Sequence, residues 1–159
     1  MAEETVWPAR VVVVSDGVAA GEREDCGGPA LRDALTDAGF EVQAVVVTLD
    51  GVDEVAAALL AQARDFAGLI VTTGGTGFGP RDLTPEGTRR AIDREAPGLA
   101  EAMRLVNPLG RLSRGIAGTV GTALVVNVPG SPKGAVECLE AILDVVPHAL
   151  ALLAGDTPH

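Results

Sequence analysis

The run Thr72-Thr73-Gly74-Gly75-Thr76-Gly77-Phe78-Gly79-Pro80-Arg81-Asp82-Leu83-Thr84-Pro85-Glu86 holds the residue types that phosphate chemistry needs. It follows Gly68-Leu69-Ile70-Val71, which has the look of a buried strand, and leads into a helical pattern opened by Thr84-Pro85-Glu86. Thr suits an N-cap and Pro the first helical position. Glycines leave backbone N–H groups uncovered, and a helix N-terminus favours negative charge. A strand that turns on glycines into a helix is therefore an anion cradle, most often for phosphate. Arg81 and Asp82 beside it supply the types for a phosphate fork and a metal ligand. The plainer reading is an ordinary glycine-rich loop; the charged pair and the helix start weigh against it. Two better-known phosphate loops do not fit. A P-loop needs Lys and then Ser or Thr after its last glycine, whereas Gly79 is followed by Pro80-Arg81. A dinucleotide fingerprint begun at Gly75 meets Pro80 where its third glycine belongs.

A second candidate loop is Pro129-Gly130-Ser131-Pro132-Lys133, again a glycine turn at the opening of a helix. Lys133 is the only lysine of the chain, the other basic residues being arginine. An acidic protein that sets its one lysine beside an anion site invites a functional reading. The alternative is a solvated residue at a helix start.

The elements that must position these loops follow from apolar patterning. Residues 10–14, 41–48, 69–73, 116–120 and 123–128 read as strands. Residues 29–38, 52–66, 85–95 and 99–105 read as helices, with one long helix from 132 to about 154. Gly121-Thr122 suits a type II′ hairpin, and the residues after Gly155 read as a frayed tail. Strands alternating with helices give an α/β fold, a three-layer α/β/α sandwich whose sheet is mostly parallel with an antiparallel hairpin added. Ligands of such sheets sit beyond the carboxyl ends of the strands. The loops expected there are Ser15-Asp16, Leu49-Asp50, Gly74 to Asp82 and Pro129 to Lys133. The whole chain, residues 1–159, reads as one domain.

Composition excludes several functions. A net charge of −10 opposes general nucleic-acid binding. Trp7, Phe40, Phe66 and Phe78 are the only aromatic residues, so a base-stacking platform is lacking. No apolar run is long enough for a membrane span. The acidic start Met1-Ala2-Glu3-Glu4 is unlike a signal peptide. Cys26 and Cys138 make no disulfide framework, which points to a reduced, cytoplasmic protein. His148 and His159 fall in or after the last expected helix, His148 is read as a packing or surface residue, and no Cys/His spacing suits zinc.

The glycine run, with Pro80-Arg81-Asp82 and Thr84-Pro85-Glu86, resembles the signature of the molybdopterin-binding family, which includes the bacterial MogA and MoaB proteins and the matching domains of gephyrin and plant Cnx proteins. The resemblance extends from about Arg10 to Leu153. It takes in Val14-Ser15-Asp16, Gly21-Glu22, Asp25, Gly28-Pro29-Ala30-Leu31, Pro97 to Arg104, Leu112-Ser113-Arg114-Gly115 and Asn127 to Lys133. Gly17, Cys26-Gly27 and Leu49 depart from the usual pattern. The resemblance implies adenylylation of molybdopterin: its terminal phosphate attacks the α-phosphate of ATP complexed with Mg2+, and pyrophosphate leaves. It makes Asp50 and Asp82 the catalytic residues, as Mg2+ ligands or in its outer shell. For each there is a structural alternative, a turn for Asp50 and a loop cap for Asp82. Gly74, Gly75, Thr76 and Gly77 would hold nucleotide phosphates. Gly130, Ser131 and Lys133, with Ser113 and Arg114, would hold the molybdopterin phosphate or the nucleotide. Ser15 and Asp16 would line the pterin or nucleotide side. Glu101 and Arg104 read equally as a surface ion pair or a pocket pair. A homotrimer and a downstream molybdenum insertase as partner are implied as well. Two other functions compete: a molybdopterin-binding protein or scaffold without adenylyltransferase activity, and nucleotide pyrophosphate hydrolysis of the kind found in CinA-like proteins, which usually carry a second domain.

Overall fold

A computed structural model describes residues 3–156. His159 and the first two residues of the acidic start lie outside the described residues, as does the end of the expected tail. The elements run β1 (Pro8–Val14), α1 (Asp16–Ala19), α2 (Gly27–Asp37), β2 (Glu41–Thr48), α3 (Val52–Ala63), β3 (Leu69–Thr73), α4 (Thr84–Ala91), β4 (Arg94–Glu95), α5 (Pro97–Arg104), a 3-10 turn (Pro108–Leu112), β5 (Ala117–Val120), β6 (Ala123–Val128), α6 (Pro132–Glu140) and α7 (Val146–Leu153). They form a six-stranded sheet of order β2-β1-β3-β6-β5-β4. The four strands β2, β1, β3 and β6 are parallel, and β5 and β4 continue the sheet antiparallel. This is the expected α/β sandwich.

Alternation along β1 builds the layers. Val11 and Val13 face one side, packed with Leu31 and Leu35 of α2, Met103 of α5, Leu139 of α6 and Leu150 of α7. Val12 and Val14 face the other, with Val55 and Leu59 of α3 and Ala91 of α4. Both faces of a parallel sheet are thus covered, which is why its strands read as solid valine runs. Truncating a side chain as deeply buried as Leu139 or Ile70 to Ala costs about 2–5 kcal/mol.

Three expectations need correcting. The helix from Pro85 stops at Ala91; Arg94 and Glu95 pair instead with Thr119 and Gly118 as an edge strand. Hydrogen bonds from Asp93 N–H to Thr119 O (2.7 Å) and from Ala96 N–H to Ala117 O (2.8 Å) hold that strand against the open edge of β5. The long last helix is two, α6 and α7, with Pro147 in the first turn of the second, where its missing N–H costs nothing. Thr84 does not cap α4: Leu83 is the cap residue and makes no side-chain cap bond, while the Thr84 hydroxyl donates to Gly74 O at 2.9 Å. At the β5–β6 turn Gly121 takes φ +57° and Thr122 does not adopt positive φ, as a type II′ hairpin requires.

Candidate functional site

β1, β2, β3 and β6 all end at the same edge of the sheet, and the antiparallel β5 begins there. Five segments therefore meet at that edge: 15–16, 49–50, 74–82, 113–116 and 129–133. The chain leaves β1 toward β2 on one side, while β3 lies on the other. This is the switch point at which α/β sheets open a crevice. A cleft of about 960 Å³ lies here, at the upper end of the roughly 300–1,000 Å³ usual for small-molecule sites.

The glycine loop forms part of its lining. Gly74 and Gly75 take φ +98° and +69°, backbone that L side chains rarely adopt. A Cβ on Gly74 would collide with Val14 O, and one on Gly75 with the Thr84 hydroxyl. The loop's carbonyls are tied down on the protein side. Gly74 O accepts from the Thr84 hydroxyl, Gly75 O from Thr84 N–H, Thr76 O from Arg114 N–H and Gly77 O from Arg114 Nε. Gly74 N–H donates to Val128 O, but the N–H groups of Gly75, Thr76 and Gly77 have no partner among the described residues. With the carbonyls of residues 74–77 each engaged, the unpaired backbone groups that the loop offers a ligand are donors. That is the polarity of an anion site.

Asp50 and Asp82 stand against this loop. Asp50 Oδ1 lies 3.2 Å from where a Gly75 side chain would begin, and Asp82 Oδ2 lies 3.0 Å from the same point on Gly77. Each carboxylate has one oxygen hydrogen-bonded: Asp50 Oδ2 accepts Asp16 N–H at 2.9 Å from the neighbouring loop, and Asp82 Oδ2 accepts Gly79 N–H at 2.8 Å within its own. The other oxygen of each makes no hydrogen bond within the described residues. Burial, and then the negative charges of Asp16 and Asp82, push the Asp50 carboxyl up from its ordinary value. A cation between Asp50 and Asp82 would relieve that repulsion. Asp82 does not cap α4, so the capping alternative reduces to a bond within its own loop.

Three serines share one pattern. Ser15 Oγ accepts Val18 N–H, Ser113 Oγ accepts Gly115 N–H and Ser131 Oγ accepts Gly134 N–H, at 3.0–3.2 Å. All three line the cleft. Each hydroxyl thus has a lone pair engaged at a local turn and keeps its proton to give to an anion. Ser131 and the half-buried Ser15 also cap the helices that follow them.

Most of the expected site residues line the cleft: Ser15, Asp50, Gly74, Gly75, Thr76, Gly77, Asp82, Ser113, Gly130, Ser131 and Lys133. Lys133 shares the cleft with Asp82, but its side chain is 89% exposed and its Nζ lies 4.0 Å from Glu137. Asp16 and Arg114 do not line the cleft. The Arg114 guanidinium lies beneath the glycine loop, donating to Gly77 O (2.7 Å), Asp82 O (2.6 Å) and the Glu86 carboxylate. Asp16 is gripped by Arg81 through Nε at 3.1 Å and Nη2 at 3.2 Å. Of the Glu101–Arg104 alternatives, Arg104 is in the cleft, donating to Gly115 O at 2.7 Å. Glu101 is exposed and makes no ion pair with it.

Arg23, Cys26 and Asn127 were not among the expected site residues, yet they also line the cleft. Asn127 had a signal, a lone amide within the apolar strand Ala123–Val128. Arg23 had none. An apolar wall of Val18, Met103, Val106, Leu109 and Leu112 completes the cleft.

A family profile described as "Probable molybdopterin binding domain" matches residues 10–148. The molybdopterin adenylyltransferase of Helicobacter pylori strain J99 is 34% identical over 156 residues, covering 92% of this chain and 87% of the relative. The molybdenum cofactor biosynthesis bifunctional protein of Chlorobaculum tepidum is 37% identical over 92% of this chain; the match spans about half, 48%, of that longer protein. Among solved structures, the molybdopterin biosynthesis enzyme MoaB from Thermus thermophilus is similar with a TM-score of 0.88 and 46% identity, over 95% of this chain and 98% of its own.

Proposed function

This chain belongs to the molybdopterin-binding domain family, and from that premise we propose that it is a molybdopterin adenylyltransferase of molybdenum cofactor biosynthesis, using ATP with Mg2+. The observation that carries this reading is the meeting of Asp50 and Asp82 at a glycine loop whose Gly75, Thr76 and Gly77 N–H groups are unclaimed.

Asp50 and Asp82 would hold the metal, each through its unbonded oxygen. Mg2+ commonly takes one or two carboxylates together with phosphate and water oxygens. Among the described residues no group of three or more His, Cys, Asp or Glu converges on a metal position, which suits an ion that arrives with the triphosphate. Bound there, it would neutralise polyphosphate charge.

The protein's own part is positioning and electrostatics. The loop N–H groups hold nonbridging phosphate oxygens. The Ser15, Ser113 and Ser131 hydroxyls and the Arg104 and Lys133 cations orient the second phosphate. An oxygen of the molybdopterin phosphate then bonds to the α-phosphorus of ATP. The bond from that phosphorus to the bridging oxygen breaks, and pyrophosphate leaves with the electron pair. A phosphate monoester is largely ionised at neutral pH, its second pKa being about 6, so the attacking group needs no base. The apolar wall is the surface on which a pterin ring system would lie.

On the same reading the protein works in the cytoplasm as a homotrimer and passes its product to a molybdenum insertase. Incubation with molybdopterin, ATP and Mg2+, followed by mass detection of adenylylated molybdopterin and pyrophosphate, tests the activity. Molybdopterin binding without product would make the protein a binder or scaffold.

A further inference from the structure

Arg81 is exposed and outside the cleft, yet its guanidinium holds the site's loops together. Nε and Nη2 grip the two carboxylate oxygens of Asp16, and Nη2 also donates to Asp50 O at 2.9 Å. Asp16 and Asp50 in turn exchange hydrogen bonds. Asp50 N–H donates to Asp16 Oδ1 at 3.1 Å, and Asp16 N–H donates to Asp50 Oδ2 at 2.9 Å. The loops after β1 and β2 are thereby locked to each other and to residue 81. Residue 82 is the next link in the chain. One guanidinium thus links the segments that carry Asp50 and Asp82.

We propose that Arg81 and Asp16 are positioning residues: they set the separation and orientation of the Asp50 and Asp82 carboxylates at the glycine loop, and neither touches substrate. The inference rests on the reading of Asp50 and Asp82 as the Mg2+-holding pair. It differs from the use of Arg81 as a phosphate fork, because the Nε/Nη2 edge is already committed to the Asp16 carboxylate and Nη2 also to Asp50 O.

Charge counting and positioning make opposite demands. Removing Arg81 leaves the site more negative, so charge alone would tighten a divalent cation; removing the Asp16 charge would loosen it. Positioning requires both to loosen it. Outer-shell partners of metal ligands typically contribute 10–100-fold in metal affinity. The experiment is a Mn2+ titration, read by electron paramagnetic resonance, of the full chain saturated with ATP. It compares wild type, Arg81→Ala, Arg81→Lys, Asp16→Asn and the Arg81→Ala/Asp16→Asn double variant, with thermal melts and metal-free ATP affinity measured alongside. Expected are losses of Mn2+ affinity of roughly 10–100-fold in both Ala and Asn variants, with no further loss in the double variant. Arg81→Lys should resemble Arg81→Ala, because an ammonium keeps the charge but not the fork. Melting temperature and metal-free ATP affinity should stay close to wild type.

Tighter Mn2+ in Arg81→Ala, multiplying losses in the double variant, or weakened metal-free ATP binding in Arg81→Ala alone would overturn the proposal; the last would make Arg81 a phosphate ligand. A wild type that binds Mn2+ with ATP but forms no adenylylated product would sink the activity while leaving the positioning pair supported by the titrations. A wild type that binds no Mn2+ with ATP would sink both.

Discussion

The Asn127 side-chain amide donates to the Thr88 hydroxyl at 3.0 Å in the buried interior, tying β6 to α4. The same nitrogen donates to the Thr72 hydroxyl at 2.8 Å, and Asn127 Oδ1 accepts Ile116 N–H at 3.1 Å. One amide therefore joins β3, β6, the lead-in to β5 and the helix after the glycine loop. Asn127→Ala strands Ile116 N–H and two hydroxyls. An unsatisfied buried group costs about 1–3 kcal/mol, so urea unfolding should show a loss of that order or more. Thr88→Val, which removes one partner, should cost less.

Asp82→Asn is expected to leave the melting temperature near wild type while cutting kcat/KM on the order of 100-fold, equivalent to about 3 kcal/mol of lost metal-assisted stabilisation. Near-normal formation of adenylylated product by mass spectrometry would reduce Asp82 to its bond with Gly79 N–H.

Gly75 and Gly130 should respond differently to the same added methyl. In Gly75→Ala the methyl meets the Thr84 hydroxyl and Asp50 Oδ1 at φ +69°, a strained backbone worth about 1–3 kcal/mol. Melting temperature and ATP affinity should both fall. In Gly130→Ala the nearest atom is Gly74 Cα at 3.4 Å, an ordinary contact. Its fold should be unaffected. Equal melting temperatures for the two variants would contradict this geometry.

The Arg114 guanidinium holds the Glu86 carboxyl below its ordinary value of 4.5, and Arg81 does the same for Asp16 below 3.8. A carboxylate lowered in the folded state contributes stability above its unfolded pKa and loses it as pH falls through the folded one. Glu86→Gln should therefore flatten the acid limb of the melting-temperature profile below 4.5. Burial gives Asp50 the opposite sign. Ionising it opposes folding, so Asp50→Asn should gain on wild type as pH rises past 3.8. A differential scan across the acid range reads both, and parallel profiles would count against both.

Lys133 is exposed enough that its charge acts through water. Lys133→Ala is expected to raise the apparent Kd of the phosphate ligand by roughly fivefold, about 1 kcal/mol, the upper range for a solvent-exposed pair. Salt near 1 M should erase the difference, since the Debye length there is about 3 Å. Calorimetric titration at two ionic strengths checks it; equal affinities at low salt would return Lys133 to a solvated helix start.

What could be read from the chain, and what could not, divides by range. β1 and β3 are legible because Val11–Val14 and Leu69–Val71 are solid apolar runs that a doubly covered sheet demands. The glycine loop is legible because its donors are local in sequence. Arg94–Glu95 escapes, since neither residue favours a strand and only the open edge of β5 recruits them. The break before α7 is visible in Pro147, but the apolar pattern on either side masks it. Arg81 and Arg114 look like ligand-binding cations because guanidinium groups often are. Their actual acceptors, 65 residues away at Asp16 and 32 away at Asp82 O, exist only once the loops have converged.

The place of β6 in the sheet has a consequence for how the protein is made. β3 carries the glycine loop, and β6, which pairs along its far side, is among the last strands synthesised. Until residue 128 has left the ribosome, Leu69–Thr73 presents a naked hydrogen-bonding edge of apolar and threonine residues, the kind of template on which nascent chains associate. Parallel pairing between distant segments is also slow. The price of drawing one site from five separated segments is thus a vulnerable interval in biogenesis, closed when the strand bearing Asn127 docks.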